Sequence, residues 1–247
     1  IAVDGGETIT FKNAIVATGS RPLRPPVDGI DNARCVDSTG LLATDSIPKR
    51  LIVLGGGVIG VEFASIFNHM GSQVTIVEML DSLIPMMDDD AISALTKAFG
   101  KAGIAVHTGA RATTVVDGAD GVTLHFEKGD VAESVTGDLI LVATGRGANV
   151  EGIGLEAAGV TFDRGGIATD ARRATNVPHI FAVGDVAGHW QLAHTAFREG
   201  EVAAENVAGH PAEVTGAVPS CIYTDPELAS VGLTERDAAV GLFDFES

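Results

Sequence analysis

The sequence predicts an α/β fold built on a parallel sheet, and three observations within one run, Arg50 to Glu78, predict it. Leu51 to Leu54 is an unbroken apolar segment with the branching of a strand buried on both faces. It feeds directly into Gly55, Gly57 and Gly60, at G-x-G-x-x-G spacing. Val58, Val61, Phe63, Ile66, Phe67 and Met70 then recur at helical spacing, Gly71 stands where a helix end is closed, and Val74 to Val77 makes a second strand ending on Glu78. Strand, glycine turn, helix and strand in that order form a complete dinucleotide-binding βαβ unit.

Each residue type in the unit has a physical reason. Gly55 allows the tight turn out of the strand, Gly57 lets backbone approach a pyrophosphate, and Gly60 lets helix and strand pack closely. The phosphates then meet a helix N-terminus, where unpaired N–H groups and the positive end of the helix dipole stabilise negative charge. Glu78, at the end of the second strand, is placed to accept hydrogen bonds from an adenosine ribose diol, which favours NAD. A 2'-phosphate would meet its like charge, and Met79 and Leu80 offer no guanidinium in exchange.

The remaining elements follow in order. Thr8 to Thr18 reads as the second half of a β-hairpin turning at Asp4, Gly5 and Gly6, with a strand from Ala14 to Ala17 that ends in Thr18, Gly19 and Ser20. Pro22, Pro25 and Pro26 make a stiff boundary between two lobes, and Gly29 to Lys49 reads as a linking segment. Asp88 to Asp90 are expected to cap and charge a helix from about Ala91 to Lys101, closed by Gly103. Ile104 to His107, Ala112 to Val116, Val122 to Phe126 and Leu139 to Ala143 read as strands, with a hairpin turn over Asp117 to Gly121. Asn149 to Thr175 is glycine-rich with short strands. Ile180 to Val183 is a strand delivering Gly184 and Asp185 at its carboxyl end, where such sheets bind ligands. Leu192 to Val207 is a helix, and beyond Ala217 come two short strands and a helix start at Thr234. Taken alone, Asp185 reads as a turn or N-cap residue and His194 as a surface histidine in a first helical turn. Glu62 reads either as an exposed acid favoured by the helix dipole or, if buried, as an acid that needs a partner.

Composition bounds the partners. Of 247 residues 45% are hydrophobic, enough for a sizeable core, and 16 basic against 33 acidic side chains leave a net charge of −17. That balance argues against nucleic acid or an anionic membrane as partner. The most apolar stretch, Leu51 to Phe67, is broken by glycines and by Glu62, so no membrane span is expected, and IAVDGGETIT has neither the basic nor the apolar region of a signal peptide. Cys35 and Cys221 stand far apart without metal or redox spacing, so no metal site is expected and the two read as reduced structural thiols of a cytoplasmic protein.

Six segments together carry a resemblance: AIVATGSRP at 14–22, GGGVIGVEFAS at 55–65, VATGR at 142–146, IFAVGDVAG at 180–188, LAHTAFREG at 192–200 and PSCIYTDPELASVGLTE at 219–235. In order and spacing they resemble the flavin disulfide reductases, the class I pyridine nucleotide-disulfide oxidoreductases, and within them the dihydrolipoyl dehydrogenases. The resemblance implies a Rossmann-like NAD-binding domain of ββα type, with a parallel sheet plus β-meander, inserted in a partial FAD-binding lobe of the same design and followed by the start of an α+β interface domain. It assigns residues 1–20 and 147–216 to the FAD lobe, 21–146 to the NAD domain and 217–247 to the interface (dimerisation) domain. It also implies NAD contacts from Gly55, Gly56, Gly57, Val58, Ile59, Gly60, Val61, Glu62, Glu78, Ala112 and Gly145. For FAD it implies Thr18, Gly19 and Ser20 at the end of the first lobe segment, Asp185 on a ribityl hydroxyl, and Gln191, Leu192, Ala193 and His194 beneath the ring. In such enzymes Glu62 would pair with a lysine near the flavin.

The activity implied is NAD-linked oxidation of a dihydrolipoyl group carried by a 2-oxo acid dehydrogenase or glycine cleavage complex, in a homodimer. The family also carries a first flavin-binding G-x-G-x-x-G, a C-x-x-x-x-C redox pair and a C-terminal His-Glu pair, none of which occurs here. The chain is therefore expected to be an internal fragment with an incomplete FAD site, no catalytic residue beyond a supporting Glu62, and no activity alone. The alternatives are a mercuric reductase, NADH oxidase or glutathione reductase-like member, or a free-standing NAD-binding module without chemistry of its own. Val58, where the glutathione reductase branch carries an aromatic lid, and Glu78 disfavour that branch.

Overall fold

A computed structural model describes residues 1–2 and 6–240. Asp4 and Gly5, expected at a hairpin turn, lie outside the described residues; on either side of them Ala2 and Thr8 form an antiparallel bridge. The chain divides into two compact units, residues 1–21 with 146–218 and residues 22–145 with 219–247.

In the larger unit five parallel strands lie in the order Cys35–Val36, Leu139–Val142, Arg50–Leu54, Gln73–Val77 and Ala105–His107. Strand pleating sends successive side chains to opposite faces. Leu51 and Val53 therefore join Val74, Ile76 and Leu141 under a helical layer, packed on Val61, Ala64 and Phe67 of helix Val58–His69 and on Ile92, Leu95 and Phe99 of helix Asp89–Ala102. Ile52 and Leu54 face the other way with Val77, Ile140 and Val142, against Val115, Val122, Leu124 and Phe126 of an antiparallel meander. The meander comprises Ala110–Gly118, Gly121–Lys128 and Val131–Gly137. Gly71 ends the first helix as expected, at φ 96°, with Ser72 N–H donating back to Phe67 O at 2.9 Å.

Three local expectations need correction. Gly29 to Lys49 is more than a linker: Cys35–Val36 forms the edge strand on Leu139–Val142, and Asp37 caps helix Ser38–Leu42 by accepting from Gly40 N–H at 2.8 Å. The meander has a third strand, Val131–Gly137, whose largely exposed side chains leave no apolar run to read. Asp88 occupies the N-cap of helix Asp89–Ala102 but makes no side-chain capping bond. Its carboxylate accepts instead from Glu235 N–H at 2.8 Å, at the start of helix Glu235–Val240, while Asp89 and Asp90 supply first-turn charge.

In the smaller unit Ala14–Val16 pairs in parallel with Ile180–Ala182. Ser20–Pro22 pairs with Arg146–Ala148. Ile180 and Ala182 point into a cluster with Ala148, Val150, Leu155, Val160 and Ile167, while Phe181 and Val183 face Ala203 of helix Ala193–Val207. Among the described residues of both units, no helix is long and apolar enough to cross a membrane.

Candidate functional site

Because the five strands run parallel, their carboxyl ends gather at one edge, and the glycine turn, Glu78 and Gly145 follow directly from three of them. Gly55 leaves the strand at φ 112°, the left-handed region that favours glycine. A Cβ there would fall on the Ala143 carbonyl oxygen and 2.7 Å from its carbon. A Cβ on Gly60 would fall on the Gly55 carbonyl oxygen, so helix Val58–His69 can approach its strand only with glycine at that place. Around Gly57, by contrast, a Cβ would meet nothing within 4 Å. Gly57 is the N-cap and has no side chain to satisfy the first-turn N–H groups, so open space adjoins a positive helix end, which fits an anionic pyrophosphate.

Glu78 is nine-tenths buried, and its carboxylate is tied to this turn. One oxygen accepts from Gly56 N–H, and the other accepts from Leu80 N–H at 2.7 Å. These two donors fix the acid beside the glycines, and each oxygen retains lone-pair capacity for a further donor. Ile84 N–H closes the same loop on Gly56 O at 2.9 Å. Ala112 lies two residues beyond Ala110, whose N–H donates to Glu78 O at 2.9 Å, and the meander register shifts between Ala112 and Thr114. Gly145 adopts φ 123°, and its carbonyl accepts from Leu23 N–H at 3.0 Å.

Glu62, partly buried in the first turns of helix Val58–His69, does have a partner within its own unit. Its Oε1 accepts from Tyr223 N–H at 2.8 Å, so the nucleotide helix is bonded to the strand segment around Ser220–Ile222.

In the smaller unit the structure brings Ser20 and Asp185 together: Ser20 Oγ donates to Asp185 Oδ2. Arg146 completes the group, donating from Nε to Ser20 Oγ at 2.7 Å and from a terminal nitrogen to Ser20 O at 2.9 Å, with Nε 3.9 Å from Asp185 Oδ2. The sequence offers Arg146 at the end of VATGR without a role for it; an arginine directly after the second A-T-G, opening strand Arg146–Ala148, was the available signal. Thr18 is pinned by donating to Asn149 O and by accepting from Asn149 Nδ2, both at 2.9 Å, and Gly19 takes φ 70°. Leu192 is the N-cap of helix Ala193–Val207 and offers no side-chain cap. Exposed Gln191 precedes this N-cap, and Ala193 and His194 open the helix behind it.

The two thiols differ. Cys35 is 3% exposed, and burial pushes its thiol up against the weaker lowering influence of Arg24. Cys221 sits exposed on strand Ser220–Ile222.

Comparison with known proteins agrees with this architecture. The family described as pyridine nucleotide-disulphide oxidoreductase matches residues 2–200. Dihydrolipoyl dehydrogenase of Bacillus subtilis (strain 168) is 42% identical over 238 residues, covering 95% of this chain and 50% of that protein. Dihydrolipoyl dehydrogenase 3 of Pseudomonas putida is 41% identical over 255 residues, covering 99% and 55%. Among solved structures, the HOCl-induced flavoprotein disulfide reductase RclA of Escherichia coli superposes with a TM-score of 0.88 at 30% identity, covering 96% of this chain and 55% of that one. LpdA of Mycobacterium tuberculosis gives 0.83 at 30% identity, covering 92% and 50%. The chain spans about half the length of the curated relatives it matches. With a parallel-sheet nucleotide unit of this geometry and a family match over most of its length, the chain belongs to the pyridine nucleotide-disulphide oxidoreductases, a family of flavoprotein oxidoreductases.

Proposed function

We propose that the chain is the NAD-binding domain and part of the FAD-binding lobe of a dihydrolipoyl dehydrogenase, an enzyme oxidising protein-bound dihydrolipoyl groups with NAD. The single observation that carries the cofactor reading is Glu78 held on Gly56 N–H beside an open, uncapped helix N-terminus. The dihydrolipoyl branch is supported by the curated relatives at 41–42% identity. In this reading Gly55 to Glu62 receive the pyrophosphate, Glu78 accepts from the ribose diol, and Ala112 and Gly145 line the remainder of the NAD site. Thr18, Gly19 and Ser20 border the flavin, Asp185 accepts from a ribityl hydroxyl, and Gln191 to His194 lie under the ring. FAD, when bound, supplies the relay by which an electron pair from a substrate dithiol leaves as hydride to the nicotinamide. The first-turn N–H groups of helix Ala193–Val207 stabilise negative charge on the adjacent pyrimidine edge. Residues 1–20 and 147–216 form the FAD portion, 21–146 the NAD domain, and 217–247 open an interface domain of a cytoplasmic homodimer. The partner is the dihydrolipoyl domain of a 2-oxo acid dehydrogenase or glycine cleavage complex.

The chain by itself is expected to be inactive. Disulfide chemistry needs two thiols with Cα atoms within about 7 Å and an activated thiolate, and Cys35 is buried in the core with its thiol pushed up. Turnover of dihydrolipoamide with added FAD and NAD, lost in Cys35→Ser or Cys221→Ser, would overturn this point.

The test of the NAD reading is calorimetric titration of the chain with NADH and NADPH. NADH should bind at least about tenfold more tightly, as expected for charge-assisted bonds to the ribose diol. Glu78→Gln, which preserves the shape of the acid while removing its charge, should narrow the gap mainly by improving NADPH binding. Equal affinities in the unaltered chain would refute the assignment. A second reading, a reductase of another substrate, is favoured by the RclA superposition at a TM-score of 0.88. A dihydrolipoamide assay of the full-length gene product separates the two readings.

A further inference from the structure

A buried charged pair lies beneath the candidate flavin turn, and no step described so far uses it. Glu199 is 1% exposed and Arg173 is 9% exposed at the side chain, with Arg173 Nη1 3.3 Å from Glu199 Oε1. The other carboxylate oxygen, Oε2, accepts from Gly184 N–H at 2.7 Å. We infer that Glu199, with Arg173 as its counter-ion, is a positioning residue that holds Asp185 at the spacing the flavin requires. The inference rests on the reading of Asp185 as a FAD ligand.

Three observations lead there. First, successive amides of the strand alternate sides: Val183 N–H donates to Val16 O and Ala182 N–H to Arg173 O, both at 3.0 Å, so Gly184 N–H faces away from the parallel partner and needs another acceptor. Glu199 supplies that acceptor two turns into helix Ala193–Val207, and Gly184 itself takes φ 71°, with a built Cβ only 3.3 Å from Ala196 Cβ. The turn is thus keyed to the helix at two adjacent places. Second, Arg173 is held in a left-handed conformation at φ 65°, within a turn in which Asp170 Oδ1 accepts from the N–H groups of Arg172 and Ala174, both at 2.9 Å. Its carbonyl accepts from Ala182 N–H at 3.0 Å, so the arginine bonds the strand through its backbone and, through its side chain, the glutamate that holds the turn after that strand. Third, apolar side chains commonly replace a buried ion pair without loss of stability, so the pair's contribution is better sought in placement than in holding the fold together.

The consequence follows from rigidity. Asp185 is fixed from one side by Ser20 and from the other, one peptide away, by Glu199. Glu199 also belongs to the helix whose first turn carries Ala193 and His194. One helix therefore sets both the acid for the ribityl chain and the N–H groups for the ring, and Glu199 fixes the distance between them.

The test uses the full-length gene product, stripped of flavin and titrated with FAD by fluorescence, with visible circular dichroism of the bound flavin as the second readout. Glu199→Asp keeps the charge for Arg173 but loses reach to Gly184, and should weaken FAD about tenfold, the equivalent of one hydrogen bond to a charged group. The pair replacement Arg173→Met with Glu199→Leu also leaves Gly184 N–H without its acceptor, so it should lower the denaturant midpoint by no more than one buried hydrogen bond is worth, while losing FAD affinity to the same degree as Glu199→Asp and altering the flavin dichroism. Glu199→Gln retains an oxygen acceptor for Gly184 and should stay within about threefold of the unaltered protein. Wild-type affinity and dichroism in Glu199→Asp overturn the inference even if the pair replacement fails to fold, and so does a glutamine variant as weak as the aspartate one. Asp185→Ala serves as the separate control. If it binds FAD normally, the flavin reading of Asp185 fails; if it loses FAD while the Glu199 variants do not, only the positioning role fails.

Discussion

Two carboxylates do the same backbone task in the two units and are balanced in opposite ways. Glu78 accepts from Gly56 N–H at the carboxyl edge of one parallel sheet, and Glu199 accepts from Gly184 N–H just beyond another parallel strand. Glu199 is matched by Arg173, whereas among the described residues no cation lies within ion-pair distance of Glu78, whose two protein donors are amides. A charge already matched by a guanidinium has little left to offer a ligand, while a charge held only by amides beside a helix N-terminus keeps capacity for ribose hydroxyls. The acid with the cation is an anchor, and the acid without one is the acid we propose for the cofactor.

The largest expected effect breaks the matched site. Arg173→Met alone leaves Glu199 buried and unpaired and should cost about 3–5 kcal/mol in urea unfolding. A loss under about 1 kcal/mol would mean that the pair is not closed to water, and the contrast with Glu78 would fall. Next comes the glycine turn. Gly60→Ala drives a methyl into the Gly55 carbonyl and should destabilise by about 1–3 kcal/mol, because backbone and helix must separate. Gly57→Ala, into open space, should change stability by less than about 1 kcal/mol while weakening NADH binding, measured by the same unfolding and by titration. Equal destabilisation by both would show that the turn is not open at Gly57.

A smaller effect sharpens the comparison away from any ligand. Asp138 accepts from Arg50 N–H at 2.9 Å and from Arg50 Nε at 3.1 Å. Burial raises its carboxyl, but the hydrogen bonds and charge of Arg50 together outweigh this and hold it below its ordinary value. A depressed folded-state value contributes stability that is present above the unfolded value, near pH 4, and is lost as pH falls through the folded value. Asp138→Asn should therefore cost about 1 kcal/mol at pH 7, discounted for the partial exposure of the pair, and the difference should shrink below about pH 4. A difference constant from pH 7 to pH 3 would exclude the ionised pair as its source. The smallest effect is chemical: Cys221 should react with a maleimide in the folded chain, and Cys35 only on unfolding.

What the sequence made legible is what short range and periodicity encode. The βαβ unit from Arg50 to Glu78 was readable because its apolar run, glycines and terminal acid are contiguous, and Gly55, Gly60 and Glu78 occupy the places their residue types imply. Cys35–Val36 was not readable, because a two-residue edge strand between Arg34 and Asp37 has no alternation to detect and owes its existence to Leu139–Val142 far along the chain. Val131–Gly137 escaped for the opposite reason: it alternates, but on an exposed outer edge. Asp88 stands at the N-cap expected of it, but its carboxylate bonds Glu235, a partner too distant in sequence to be read from the local pattern. Glu199 was hidden inside a helix whose register was plain. Thr195, Glu199 and Val202 fall on the buried stripe, and an acid on that stripe was the available sign of a buried partner.

The division of the chain into interleaved segments also bears on the order in which the units can form. Ala14–Val16 must wait for Ile180–Ala182, its one strand partner among the described residues, whereas Arg50–Leu54 meets Gln73–Val77 after a single helix. Closing the longer loop carries the larger entropic cost, and a ribosome delivers its far end last. The nucleotide unit is thus expected to acquire protected amides while the first strand is still an unpaired edge, the kind of surface that recruits other strands. Pulse-labelled hydrogen exchange should find the amides of Leu51 and Val53, which face Gln73–Val77, protected before those of Ala14 and Val16, which face Ile180–Ala182; the reverse order would place the long-range pairing first. For as long as residues 146–182 remain unmade, the aggregation hazard stays with Ala14–Val16.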